Sequence, residues 1–306
     1  MPDSDKNFPM ILLGASVFFV VAFLSLKPGE LARPKPAEVP ALAFPKVTIE
    51  AKAAYVYDLR EGKELYAKNA DTRLPLASVT KLMSALVASE LAPDFDVVKV
   101  NADALRTYGD SGLAPGEKWT LKSLLDFSLL TSSNDGIRAV ALSLAALSQS
   151  SASESEIIQS FVSAMNAKAS ELNLKNTYFW NETGLDESEI KGGAYGSAKD
   201  ISALIGYILK HRPELLEATR EPAAVFVSLD NMPHPGRNTN SLINDIPGIL
   251  GSKTGFTDIA GGNVVFAFDP ELGHPIVVAV LGSSAEGRFE DARKLVEAAM
   301  AYITQR

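Results

Sequence analysis

The chain contains no cysteine, which excludes disulfides, a thiol nucleophile and cysteine-bound zinc. Histidine is almost as scarce. His211, His234 and His274 are the whole complement, and none falls in an H-E-x-x-H pattern or at another close metal-ligand spacing, so no metal centre is expected. No G-x-S-x-G elbow occurs, which argues against a Ser-His-Asp hydrolase of the α/β type. Internal repeats are absent too. Positive charge is short: 29 Lys and Arg against 37 Asp and Glu leave a net charge of −8. That balance disfavours nucleic acid or an anionic membrane surface as partner. No cofactor is expected.

What is present is ordinary for a globular protein. With 306 residues, 46% hydrophobic and 22% charged, the chain can bury one large core or two small ones. A short tail, residues 1–6, precedes Asn7 to Leu26, a run of 20 residues without charge. That run is long enough to span a bilayer as a helix. It is long for a cleaved signal peptide, and Ala41-Leu42-Ala43 lies too far beyond it to serve as the cleavage site. An uncleaved anchor is the expectation. Residues 27–46 carry five prolines, Pro28, Pro34, Pro36, Pro40 and Pro45, and read as an extended, semi-rigid linker. The globular part is expected over residues 47–306.

Ala53 to Leu59 and Glu64 to Lys68 pattern as a β-hairpin. Lys81 to Leu91 is apolar nearly all round and reads as a buried central helix. Helices are also expected at Leu121 to Leu130 (Thr120 capping), onward from the 131–136 turn through Leu147, from Ser153 to Leu172, at Ala198 to Lys210, and at Arg288 to Ile303. Asn176 to Gly196 is polar and Gly-rich, so a loop is expected. After about residue 223 strands take over, notably Gly248 to Phe256, Gly262 to Asp269 and Pro275 to Gly282. Strands at both ends and helices between them imply an α/β lobe built from both termini, with a helical lobe inserted at about 80–220. The cleft is expected at their seam.

Three motifs follow in order: Ser78-x-x-Lys81, Ser132-x-Asn134 and Lys253-Thr254-Gly255. Each alone has a bland reading: an N-cap serine with a surface lysine one turn on, a loop serine and asparagine making turn bonds, a lysine at a solvated strand end. A second Ser188-x-x-Lys191 lies in a polar loop and reads as a decoy. Together and in sequence, the three point to chemistry. Residues three apart share a helix face, so Lys81 can take the Ser78 proton, provided that burial and nearby positive charge keep the amine neutral. Ser132 can relay a proton to a leaving amine, and the Asn134 amide can donate to and accept from a substrate peptide bond. Lys253 is expected to hold a substrate carboxylate and help keep Lys81 neutral, with Thr254 as a hydroxyl donor. Gly255 lets substrate lie close to the strand. The backbone N–H groups of Ser78 and Phe256 are the expected oxyanion hole.

This trio is the signature shared by class A β-lactamases and penicillin-binding proteins. The chain resembles the D-alanyl-D-alanine carboxypeptidases among the low-molecular-mass penicillin-binding proteins over roughly residues 46–306. Leu113-Ala114-Pro115-Gly116-Glu117, Asn181-x-Thr183-Gly184-Leu185-Asp186, Asn238-Thr239-Asn240 and Gly251 to Gly261 are similar as well. The resemblance implies an α/β (α+β) penicillin-binding/β-lactamase-like fold, with a mostly antiparallel sheet flanked by helices. It implies an acyl-enzyme at Ser78, removal of the terminal D-Ala from peptidoglycan stem peptides, and inhibition by β-lactams. Ser78, Lys81 and Ser132 become the catalytic set; Asn134, Lys253, Thr254 and Gly255 bind substrate.

An extracytoplasmic site on the bacterial membrane, held by the N-terminal helix, is also implied. Counting Lys and Arg beside the span alone would place the linker in the cytoplasm. Two departures stand out. Ser133 takes a position usually held by Gly, and the histidine usual near Ala194 is missing, which bears on how the loop beneath the cleft is held. The C-terminal β-domain and tail frequent in the family have no counterpart, and the N-terminal span is expected to replace the tail. Three rivals share features: a class A β-lactamase, a D,D-endopeptidase, and a non-catalytic wall-binding homologue. The first needs a Glu-x-x-x-Asn loop, and no Asn from 166 to 244 has a Glu four residues earlier.

Overall fold

In the computed structural model, residues 43–146 and 153–305 are described. The expected span at 7–26, most of the linker and Leu147 lie outside them. Among the described residues, no helix is long and apolar enough to cross a membrane.

The elements run in the order β1 (Ala53–Asp58), β2 (Lys63–Lys68), β3 (Leu74–Pro75), α1 (Lys81–Leu91), β4 (Val97–Lys99), β5 (Lys118–Thr120), α2 (Leu121–Thr131), α3 (Asn134–Ala146) and α4 (Glu154–Glu171). There follow β6 (Tyr178–Phe179), β7 (Ala194–Gly196), α5 (Ala198–His211), β8 (Ala223–Val227), β9 (Pro233–Arg237), β10 (Ile249–Thr257), β11 (Gly261–Phe268), β12 (Ile276–Ser283) and α6 (Gly287–Thr304).

Five strands pair antiparallel in the order β10-β11-β12-β1-β2. Successive side chains on a strand face opposite ways, and here both faces are covered. On β12, Val277, Ala279 and Leu281 enter one core, while Ile276, Val278 and Val280 enter the other. This is why the C-terminal strands are apolar without alternation. Helix α6 closes the second core with Phe289, Ala292, Leu295, Val296 and Ala299, spaced three and four apart as one helical face requires. Pairing of Ala53 with Leu281 joins an early strand to a late one. Asp291 reinforces the joint, accepting from the Glu50 and Ala51 amides at 2.9 and 2.8 Å.

Three boundaries differ from expectation. Packing of the globular part includes residues before 47, because Phe44 lies between the rings of Tyr66 and Tyr302, each at 5.9 Å. Helix α5, expected within the inserted lobe, lies against β1, β11 and β12, and its Ile201, Leu204, Ile205 and Ile208 join the core on the sheet face away from α6. The stretch 176–196 is not wholly loop, since β6 and β7 form a small sheet with β3. There Leu74 pairs with Gly196 and Pro75 with Tyr195, so main-chain pairing ties this stretch to the segment just before Ser78. Helix α1 runs through the helical lobe with Lys81 to Ser89 all buried, as its unbroken apolar character required.

Candidate active site

Ser78 lies in a single 3-10 turn, Ala77–Thr80, and Lys81 opens α1. In a 3-10 turn residues three apart eclipse one another, which sets the two side chains face to face. Lys81 Nζ is 2.8 Å from Ser78 Oγ. It also donates to Asn134 Oδ1 at 2.6 Å and to the Thr183 carbonyl at 2.9 Å. Those two partners can only accept, whereas a hydroxyl can donate. The set therefore suits a neutral amine, with two N–H groups given to carbonyls and its lone pair facing the Ser78 O–H. Complete burial pushes Lys81 down to about 7, and the carboxylates of Glu182 and Asp135 oppose the fall.

Two glycines make this packing possible. A Cβ on Gly184, whose φ is +80°, would sit 1.9 Å from the Ala77 carbonyl oxygen. A Cβ on Gly255 would lie 2.8 Å from the Leu76 oxygen and 2.9 Å from the Ser78 nitrogen. The missing side chain of Gly255, expected to admit substrate, lets β10 touch the nucleophile segment. That contact brings the amides of Ser78 and Phe256, the expected oxyanion pair, onto facing segments.

Ser132 caps the C-terminus of α2 in the left-handed region, φ 64°. Its hydroxyl accepts from Lys253 Nζ at 3.0 Å, and the same amine donates to the Thr254 carbonyl at 2.9 Å. Burial together with the positive charges of Lys81 and Arg288 holds Lys253 well below the usual lysine range. No carboxylate faces it among its hydrogen-bond partners, so an arriving anion would favour its charged form. Thr254 Oγ1 donates to Thr239 Oγ1 at 2.6 Å. Arg288 donates to the Gly255 carbonyl at 2.8 Å, steadying the strand from behind.

Asn134, expected to contact substrate, bridges two segments of the protein. Its Nδ2 donates to the Tyr108 carbonyl at 2.8 Å, while its Oδ1 accepts from Lys81 at 2.6 Å. Ser133, at the position usually held by Gly, keeps an ordinary backbone and accepts from the Gly136 amide at 2.9 Å. It therefore caps α3, and it also donates to Asp135. The absence of histidine near Ala194 is met by main-chain bonds: Leu76 N donates to the Ala194 carbonyl at 3.0 Å. The second Ser188-x-x-Lys191 stays apart, with Lys191 Nζ 4.6 Å over the Trp180 ring.

The three motifs thus converge, and several partners go beyond them. The Thr183 carbonyl, Asp135 and Thr239 were within stretches singled out by resemblance or motif, without a role. Glu182, Arg138 and Arg288 carried no signal, because each acts through a contact with a segment distant in sequence. Among the described residues no cluster of His, Asp or Glu is able to hold a metal ion.

A family profile described as D-alanyl-D-alanine carboxypeptidase matches residues 38–285. The chain belongs to this family. Within it, D-alanyl-D-alanine carboxypeptidase DacF of Bacillus subtilis (strain 168) is 37% identical over 216 residues, covering 68% of this chain and 51% of that protein. DacB2 of Mycobacterium tuberculosis is 31% identical over 243 residues, covering 79% and 78%. The chain spans about half the length of DacF and more of DacB2. Among solved structures, a point mutant of the Streptomyces K15 DD-transpeptidase superposes with a TM-score of 0.75 at 26% identity, over 84% of this chain and all of that one. Penicillin-binding protein D2 of Listeria monocytogenes, in its ampicillin-bound form, gives 0.68 at 28%, over 83% and 98%. The fold is that of these DD-peptidases, mixed α/β around an antiparallel sheet.

Proposed function

We propose that this chain is a serine D-alanyl-D-alanine carboxypeptidase that removes the terminal D-Ala from peptidoglycan stem peptides and is acylated by β-lactams. The observation that carries the reading is the Lys81 amine, 2.8 Å from the Ser78 hydroxyl, with its other two bonds going to carbonyls. Lys253, Thr254 and Thr239 offer the terminal carboxylate one amine and two hydroxyls. The Ser78 proton passes to Lys81 as its oxygen attacks the carbonyl of the penultimate D-Ala. The backbone N–H groups of Ser78 and Phe256 take up the charge that develops on that carbonyl. Ser132 passes its proton to the leaving D-Ala amine and takes up the one that Lys81 received from Ser78, so Lys81 is neutral again. Water then gives a proton to Lys81 as it attacks the ester, and Lys81 returns that proton to the Ser78 oxygen as the acyl group leaves.

Incubating the protein with a fluorescent penicillin tests the acyl step, with Ser78→Ala as control. Stable label on the wild type and none on the variant is expected; an unlabelled wild type would refute the enzyme reading, and rapid turnover of the adduct would favour a β-lactamase. Two relatives at 31% identity are named D-alanyl-D-alanine endopeptidase. Mass spectrometry of muropeptides separates the two reactions: loss of one D-Ala is expected, and opening of cross-linked dimers would point to the endopeptidase. The domain would work outside the cytoplasm, tethered by Asn7 to Leu26, and fractionation of cells carrying the full chain checks that placement.

A further inference from the structure

Behind the Lys81 amine lies an ion pair that the chemistry above does not use. Glu182 is fully buried. Its Oε1 accepts from Arg138 Nη1 at 2.9 Å, and its Oε2 has no hydrogen-bond partner. Arg138 in turn reaches Glu154 of α4 at 3.2 Å, and Arg106 reaches the same carboxylate at 3.2 Å. A polar cavity of about 320 Å³ adjoins this cluster.

Where the pair is attached gives it meaning. Arg138 stands four residues after Asn134 on α3, hence on the same helix face. The main chain of Glu182 is held to α1, its carbonyl accepting from Ser84 Oγ at 2.6 Å. The next carbonyl, that of Thr183, accepts from Lys81. One ion pair therefore clamps the loop that supplies the Thr183 carbonyl to the helix that supplies the Asn134 amide, and both groups meet on one amine.

We propose that Glu182, clamped by Arg138, is a positioning residue for Lys81, holding its two carbonyl partners in register and setting a fixed negative charge behind it. The idea rests on Lys81 being the base. Asp135 on α3 and Lys253 on β10 also face that amine, and both stay in place in the variants below. Burying an unpaired carboxylate is costly; Arg138 lowers that cost while leaving the charge close enough to favour the protonated amine, in line with the opposing effect of Glu182 on the burial shift.

The test is the second-order rate of acylation by fluorescent penicillin against pH, for wild type, Glu182→Gln and Glu182→Asp, each shown folded by circular dichroism. Glu182→Gln removes the charge, so the midpoint of the acid limb is expected to move to lower pH. Glu182→Asp keeps the charge but shortens the reach to Arg138. Its midpoint is expected to stay at the wild-type value while the alkaline plateau falls, by up to about 10²-fold for a displacement near 1 Å. A Glu182→Gln midpoint equal to wild type would overturn the proposal, as would an Asp variant whose midpoint moves and whose plateau does not; Glu182 would then be a structural brace only. If Glu182→Gln leaves the protein unfolded, the Asp variant alone decides by the same criteria. A wild type that takes no label would instead remove the reading of Lys81 as base, and this proposal with it.

Discussion

Substituting Gly184 by alanine separates packing at the nucleophile from ordinary backbone strain. Gly184 has φ +80°, and an added Cβ would meet the Ala77 carbonyl oxygen at 1.9 Å and Thr80 Oγ1 at 2.6 Å. The left-handed backbone costs an L-residue about 1–2 kcal/mol. Relieving the overlap means moving main chain on one side or the other, about 1–3 kcal/mol more. The expected loss is therefore about 2–5 kcal/mol. Gly273 is the matched control: its φ is +78°, yet nothing lies within 4 Å of the added Cβ, so Gly273→Ala is expected to cost only about 1–2 kcal/mol. Urea unfolding gives both values. Displacement at Gly184 would also draw the neighbouring Thr183 carbonyl away from Lys81, so acylation should fall by about 10²-fold for a shift near 1 Å, while Gly273→Ala acylates like the wild type. Equal stability losses together with equal acylation rates in the two variants would refute the packing argument.

Lys81 accepts a proton only when neutral, and burial brings it down to about 7. Acylation should therefore be weak in acid and rise as pH passes through about 7; a rate independent of pH between 5 and 9 would contradict the assignment. Lys253→Ala removes the amine opposite Ser132. Loss of a charge-assisted contact to the substrate carboxylate, about 1.5–3 kcal/mol, should lower acylation by about 10- to 150-fold without abolishing it, read from the same labelling kinetics. Ser133→Ala deletes the cap of α3, and a loss of about 1 kcal/mol is expected in thermal or urea melts; no change in stability would mean that water replaces the hydroxyl. Leu86 is fully buried in the core of the helical lobe, so Leu86→Ala should cost about 2–5 kcal/mol in the same melts.

How much of this could be read from the residues follows from the range over which each feature acts. Apolar runs, alternation and capping residues are local properties, and they were sufficient for α1, the hairpin of β1 and β2, the capping box of α4 and the three C-terminal strands. The strand pair within 176–196 was not legible, because β6 and β7 have only two and three residues and exist by pairing with β3. The hairpin of β8 and β9 was not resolved either. Prolines 233 and 235 hide it, and they are tolerated because this two-stranded ribbon leaves them on its exposed side.

By itself the amino-acid order determined that the Ser78 hydroxyl lies beside the Lys81 amine, since three residues along one helical turn bring the two together. It also determined that a helix as apolar as α1 must be buried, and that strands without alternation must be covered on both faces. Only the tertiary structure decided what surrounds the amine. Asn134 and Thr183 reach Lys81 from 53 and 102 positions away, and Lys253 meets Ser132 across 121. Contacts over such separations are set by how sheet and helices pack, not by any local propensity. For the same reason the purpose of Gly184 and Gly255, and the clamp of Arg138 on Glu182, become visible only once the segments are brought together.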